Sequence, residues 1–337
     1  MSRRTKTDTS DLPLRQQPWS EAQFRERARA DGLCLAPVVL RLADEATLPT
    51  GDTIGDGVFV ATWGERRERF VAEYKSLGTP KAVETAVAQA RLWSEKTGIR
   101  PLVIAPYLSE ESLRRLEGEG VSGVDLCGNG VLLAADFSVF RGGAPNRFRS
   151  SQPIRNVYRG TSSLFARALL LRPAFDSLRS LQSFARDRVV APDDAAQLVK
   201  GTASKVVQSL EEDLIVRREG RGGVRLSDPA RLLDRLRENY RKPSGARIEG
   251  KTALSPADVW QRLRTVTSGD AAGRLRAVAT GEGSVGRYGL LSGPDRLSLY
   301  VSDPDEAARL LEVRPTRVFP DVELVETDDE TVYFDAR

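Results

Sequence analysis

The chain has 337 residues, 40% of them hydrophobic and 29% charged, with a net charge of +4 and no histidine. The missing histidine excludes Ser-His-Asp and Cys-His nucleophiles, histidine general bases and His-containing zinc sites built from this chain alone. No apolar run approaches the roughly 18 residues of a membrane helix, and the two isolated cysteines, Cys34 and Cys127, offer neither a metal-ligand pair nor an expected disulfide.

The charge is unevenly spread: about +1 over residues 1–150, about +7 over 151–250 and about −4 over 251–337. A basic middle segment points to nucleic acid. Residues 1–18 are polar and carry no signal-peptide core, so they read as a disordered tail and the protein is expected in the cytoplasm.

From residue 19 to 150 the elements alternate. "SEAQFRERARADG" reads as a helix with Ser20 at its N-cap. "GDGVFVATW" and "RFVAEYKS" read as strands joined by a polar turn, "GERRER". A helix follows from "GTPKAVETAVAQARLWSEKTG", with Thr79 capping, Pro80 at the first helical position and Gly98 at the end. "RPLVIAP" is a short apolar strand, and "SEESLRRLEGEG" a helix capped by Ser109. "VSGVDL" and "GVLLAA" are strands around Cys127–Gly130, with Asp125 as a turn residue. The basic, Gly/Pro-rich stretch 141–153 reads as a linker.

In "FVAEYKS" the period-2 geometry puts Phe70, Ala72 and Tyr74 on one face and Val71, Glu73 and Lys75 on the other. A carboxylate and an ammonium thus share a face. One reading is a solvated ion pair, worth roughly 0–1 kcal/mol; the other is a metal-binding carboxylate beside a lysine.

The element order resembles the PD-(D/E)XK nuclease core, in which an Asp on one strand precedes a Glu-x-Lys on the next. Asp56, Glu73 and Lys75 match that pattern, with Asp52 as a rival for the first position. Gln89 matches the glutamine that many members carry on the following helix, while Trp93 stands at the aromatic position usually held by tyrosine. The resemblance implies Mg²⁺ held by Asp56 and Glu73, a water positioned by Lys75, and Gln89 in support.

Residues 155–245 read as three helices and a ribbon, the pattern of a winged helix-turn-helix. Leu164, Ala168 and Leu171 line the first helix. In the third, Thr202 is the expected cap, Ala203, Val207, Leu210 and Leu214 form the apolar stripe, and Ser204, Lys205 and Gln208 project from the other side. These three are the candidates for base readout in duplex DNA, and Arg217, Arg218, Arg221 and Arg225 on the ribbon are candidates for phosphate or minor-groove contact. An exit helix, "SDPARLLDRLRENYRKP", adds Arg235, Arg241 and Lys242. The alternative is a module that binds protein, with solvated arginines. Residues 250–337 read as a small α/β domain. Its elements are a helix capped by Ser255, a strand in "DRLSLYVSD", a helix in "DEAARLLEV", and strands in "RVFPDVELVET" and "TVYFDAR".

Taken together, "GVSGVDLCGNGVLL", "APNRF", "NVYRGTSSLFARALLLRP", "SKVVQSLEEDLIVRR" and "RLSDPARLLDRL" resemble AbiEi-like antitoxins and regulators of type IV toxin–antitoxin systems. The resemblance is to the longer class, with a restriction-endonuclease-like N-terminal domain. It implies operator binding through the winged helix, autoregulation, a cognate toxin as partner and a C-terminal domain with a nucleotidyltransferase-like fold lacking its active site. A homodimer on paired half-sites is the usual arrangement for such regulators. The competing expectation is a Mg²⁺-dependent DNA endonuclease targeted by the winged helix.

Overall fold

Helix α1 (Glu21–Ala30) begins at Ser20 for a local reason. Ser20 Oγ accepts from the Gln23 N–H at 3.3 Å while Gln23 Oε1 accepts from the Ser20 N–H at 2.9 Å, the reciprocal pair of a capping box. The computed structural model describes residues 16–43, 55–148, 156–189, 198, 200–220, 222–267, 275–281, 284 and 296–335. They fall into two compact units, one of residues up to 148 with Glu211–Leu214, the other of the remainder from Asn156 onward. Among the described residues no helix is long and apolar enough to cross a membrane.

The first unit is a mixed eight-stranded sheet whose spatial order follows the chain: β1 (Leu33–Leu35), β2 (Val38–Leu42), β3 (Gly57–Trp63), β4 (Arg66–Tyr74), β5 (Arg100–Ala105), β6 (Ser122–Asp125), β7 (Gly130–Leu133) and β8 (Ser138–Arg141). β4, β5 and β6 run parallel, and the other neighbours are antiparallel. The parallel steps need crossovers, which α2 (Pro80–Thr97) and α3 (Glu110–Gly118) supply. Both start and stop as their caps dictate: Thr79 Oγ1 accepts from the Ala82 N–H, Gly98 takes φ +69°, and Ser109 Oγ accepts from the Ser112 N–H.

Alternation sorts the core into two layers. Phe24 and Ala28 of α1 pack with Leu40, Phe59, Phe70, Ala72, Tyr74, Leu102 and Ile104 on one face. On the other, Val83, Ala86 and Val87 of α2 and Leu113 and Leu116 of α3 cover Val103 and Ala105. Burial on both faces explains why "PLVIA" is a continuous apolar run.

Several expectations from the sequence are corrected by the fold. β1, β2 and β8 escape the sequence reading, although β2 alternates buried and exposed residues. The β3–β4 turn is only Gly64 (φ +61°) and Glu65, so Arg66, Arg67 and Glu68 belong to the strand. The β6–β7 turn spans Leu126–Asn129 with Gly128 at φ +99°, and Gly130 already belongs to β7.

The second unit opens with a 3-10 turn (Gly160–Ser162). It continues through α4 (Ser163–Leu171), β9 (Ala174–Phe175), α5 (Leu178–Arg186), α6 (Lys200–Glu212, whose last two residues count with the first unit), β10 (Val216–Glu219), β11 (Gly223–Leu226) and α7 (Pro229–Asn239). β11 lies between β10 and β9, antiparallel to both. The helices bury Leu164, Phe165, Ala168, Leu169, Leu181, Ala185, Ala203, Val206, Val207, Leu210, Leu232 and Leu236. Leu171, expected on one face with Leu164 and Ala168, is 49% exposed while those two are buried. Thr202 lies inside α6 and not at its cap, and Leu214 sits beyond the helix at φ +60°.

A second sheet in the same unit has the order β13 (Ala277–Ala279), β14 (Leu297–Val301), β16 (Val322–Glu326), β12 (Arg247–Lys251), β15 (Arg314–Pro315). α8 (Pro256–Thr267) and α9 (Pro304–Leu310) contribute Val259, Leu263 and Ala307 to its core. The helix-and-ribbon part touches this sheet within the unit: Tyr240 Oη and Tyr300 Oη lie 3.3 Å apart. Most of "TVYFDAR" is not a strand. Asp329 caps a short helix, α10 (Glu330–Tyr333), whose Tyr333 is buried with its hydroxyl donating to Thr327 O at 3.0 Å. A local cap and burial override β propensity there.

Candidate functional site

Two places gather the side chains singled out in the sequence. The first lies on β4 and α2. Strand alternation sends Glu73 and Lys75 to the α2 face, and Gln89 and Trp93, one turn apart, meet them there. Trp93 Nε1 donates to Glu73 Oε1 at 2.8 Å, Lys75 Nζ lies 3.6 Å from Glu73 Oε2, and Lys75 Nζ donates to Gln89 Oε1. Asp56 approaches from the start of β3. Its backbone N–H donates to Ala72 O at 2.9 Å, its Oδ2 accepts from the Tyr74 N–H at 2.8 Å, and its Oδ1 accepts from Arg25 Nη2 at 2.9 Å. Asp52 lies outside the described residues.

The solvated ion-pair reading does not hold for Glu73, which is 7% exposed. Burial, and then the neighbouring Asp56 charge, push its carboxyl above the ordinary 4.5, against the pull of Lys75 and the Trp93 hydrogen bond. Below that ordinary value both folded and unfolded chains hold the proton. As pH rises through it the unfolded chain releases its proton first, and stability is lost until the folded carboxyl also ionises. The stability of the wild type relative to Glu73→Gln should therefore fall as pH rises past the ordinary carboxylate value, read from thermal midpoints. A difference independent of pH would refute the assignment.

Three contributors were invisible in the sequence. Arg25 is 31 residues from Asp56. The Tyr74 N–H is a backbone group. Gly55, at φ +51°, presses against the cluster: a Cβ there would sit 2.7 Å from Ala72 O and 3.2 Å from Glu73 Oε1. Only glycine fits that approach. Trp93 supplies an N–H donor to Glu73.

Whether the cluster fits Mg²⁺ can be judged from its donors. Two carboxylates are a usual protein share for that ion, with water completing the octahedron. Here, however, three of their four oxygens accept a protein hydrogen bond and the fourth faces Lys75. Among the described residues, no group of three or more His, Cys, Asp or Glu side chains could hold a metal ion. As arranged, the residues do not fit the ion.

Asp125 is a structural group, as expected. Its Oδ1 accepts from the N–H of Cys127 and of Asn129, and its Oδ2 from the Leu108 N–H and Asn129 Nδ2, all at 2.8–3.0 Å.

The second place is α6 and the β10–β11 ribbon. With Ala203, Val206, Val207 and Leu210 buried, Lys205 and Gln208 are exposed and Ser204 is half-buried. On the ribbon, Val216, Val224 and Leu226 face inward while Arg217 and Arg225, directly opposed in register, face out. Glu219 bridges them, 2.6 Å from Arg225 and 3.2 Å from Arg217. Arg218 is exposed, and Arg221 lies outside the described residues. On the exit helix Arg235 pairs with Glu238; Arg241 and Lys242, just beyond it, are both exposed.

The molecule is thus a mixed α/β protein with a buried carboxylate–lysine cluster in one unit and an exposed helix face beside an arginine-bearing ribbon in the other. Compared with protein-family models, curated proteins and solved structures, the chain matches none.

Proposed function

We propose that the protein is a duplex-DNA-binding regulator of the AbiEi-like kind, gripping DNA with a winged helix made of α4–α6 and β9–β11. One observation carries this reading: α6 is buried along one side and presents Lys205 and Gln208 on the other, in the same module as a ribbon with two outward arginines in register. The order helix, strand, helix, helix, strand, strand, with β9 paired to β11, supports it. In this reading Ser204, Lys205 and Gln208 read base edges, and Arg217, Arg218 and Arg225 hold phosphates. A two-fold dimer on paired half-sites and a cognate toxin as protein partner belong to the same proposal.

The antiparallel run β1–β4 after α1, then α2 and the parallel β5, supports a PD-(D/E)XK-like reading of the first unit. An endonuclease would need its divalent ion at Asp56 and Glu73, where the oxygens are already engaged, so the regulator is preferred.

Gel-shift titration of duplex DNA across a salt series tests the proposal. Binding should weaken steeply with salt. Arg217→Ala, Arg218→Ala and Arg225→Ala together should lower the log–log slope by about 2–3, near 0.9 for each phosphate that is no longer neutralised. Absence of duplex binding at low salt would leave the protein-contact alternative.

A further inference from the structure

The first unit's carboxylate pair holds its own counter-cation. Arg25 leaves α1 beside Phe24, which stacks on Tyr74 with ring centroids 4.1 Å apart and planes 4° from parallel. The Tyr74 hydroxyl donates to Trp19 O at 2.8 Å, just before the Ser20 cap. Three anchors therefore fix the helix from which the Arg25 guanidinium reaches Asp56, although the arm itself is 44% exposed. Arg27 is turned elsewhere, over the Trp19 ring. At the cluster two carboxylates, Asp56 and Glu73, meet two cations, Arg25 and Lys75, and the formal charges cancel. A divalent ion entering between the carboxylates would meet both cations and compete with Arg25 for Asp56 Oδ1.

We propose that Arg25 takes the charge-balancing place that a nuclease-like site gives to a metal, so that the native site takes up no divalent cation and removing Arg25 creates a site for one. The inference rests on the nuclease-like reading of the first unit and is independent of DNA binding through the second.

Mn²⁺ uptake by the full-length protein, followed by loss of the free-ion electron paramagnetic resonance signal, tests it. Wild type should show no site tighter than about 1 mM, and Arg25→Ala should gain one site at least about tenfold tighter, a difference of about 1.4 kcal/mol. Adding Glu73→Gln should abolish the gained site, and Arg25→Lys should behave as wild type. Arg25→Gln serves as a second neutral variant if the alanine protein lacks a cooperative melt. Wild-type uptake abolished by Glu73→Gln, or no uptake by either neutral variant, would overturn the proposal. Gel shifts on the same proteins should be unchanged, which separates this result from the fate of the DNA-binding reading.

Discussion

Lys205→Ala combined with Gln208→Ala should erase site preference while leaving weak, salt-sensitive duplex binding in place. The two side chains stand three apart on α6, both exposed, above a row whose own side chains are fully buried. On the proposed reading, truncating them removes base-edge hydrogen bonds without opening a cavity, so the fold should survive. A good bidentate base contact is worth about 1–3 kcal/mol, so losing two should weaken specific binding on the order of 10²-fold or more. Non-specific binding depends on phosphate contacts and should change little. The measurement is competition of labelled operator against bulk duplex. An unchanged ratio of specific to non-specific affinity would remove α6 as the reading helix.

The largest stability effect is expected at Asp125. Asp125→Ala leaves three backbone N–H groups and the Asn129 amide without the carboxylate that gathers them, in a place that is 2% exposed. Stranded buried donors cost about 1–3 kcal/mol each before relaxation, so a total loss of about 3–5 kcal/mol is expected. Burial pushes this carboxyl above its ordinary value, against the four hydrogen bonds, so part of the gain offsets desolvation. Asp125→Asn keeps the shape but turns an N–H₂ toward a donor, and should fall between. Urea unfolding followed by tryptophan fluorescence reads the effect, since Trp19, Trp63 and Trp93 all lie in the first unit. A loss below about 1 kcal/mol would show that water replaces the carboxylate at little cost.

Local chemistry was legible in the amino-acid order. Ser20, Thr79, Pro80, Gly98 and Ser109 marked four helix boundaries, three starts and one end, because caps act within a few residues. Alternation placed Glu73 and Lys75 on one strand face, and an i, i+4 spacing placed Gln89 and Trp93 on one helix face. The same logic separated Lys205 and Gln208 from the apolar row of α6.

Tertiary structure decided what those faces meet. The sequence could put Glu73 on a face but could not say that α2 covers it, and covering makes its charge costly. Nor could it bring Arg25 to Asp56, or aim the Trp93 indole at Glu73, because neither pairing follows from any local period. The short strands β1, β2 and β8 exist only because a neighbour completes their hydrogen bonds. Chain order alone thus determined caps, periods and the residue types available for chemistry. The long-range packing of α1 and α2 about β4 determined that two carboxylates and two cations share one place, since burial and charge pairing are properties of neighbours in space.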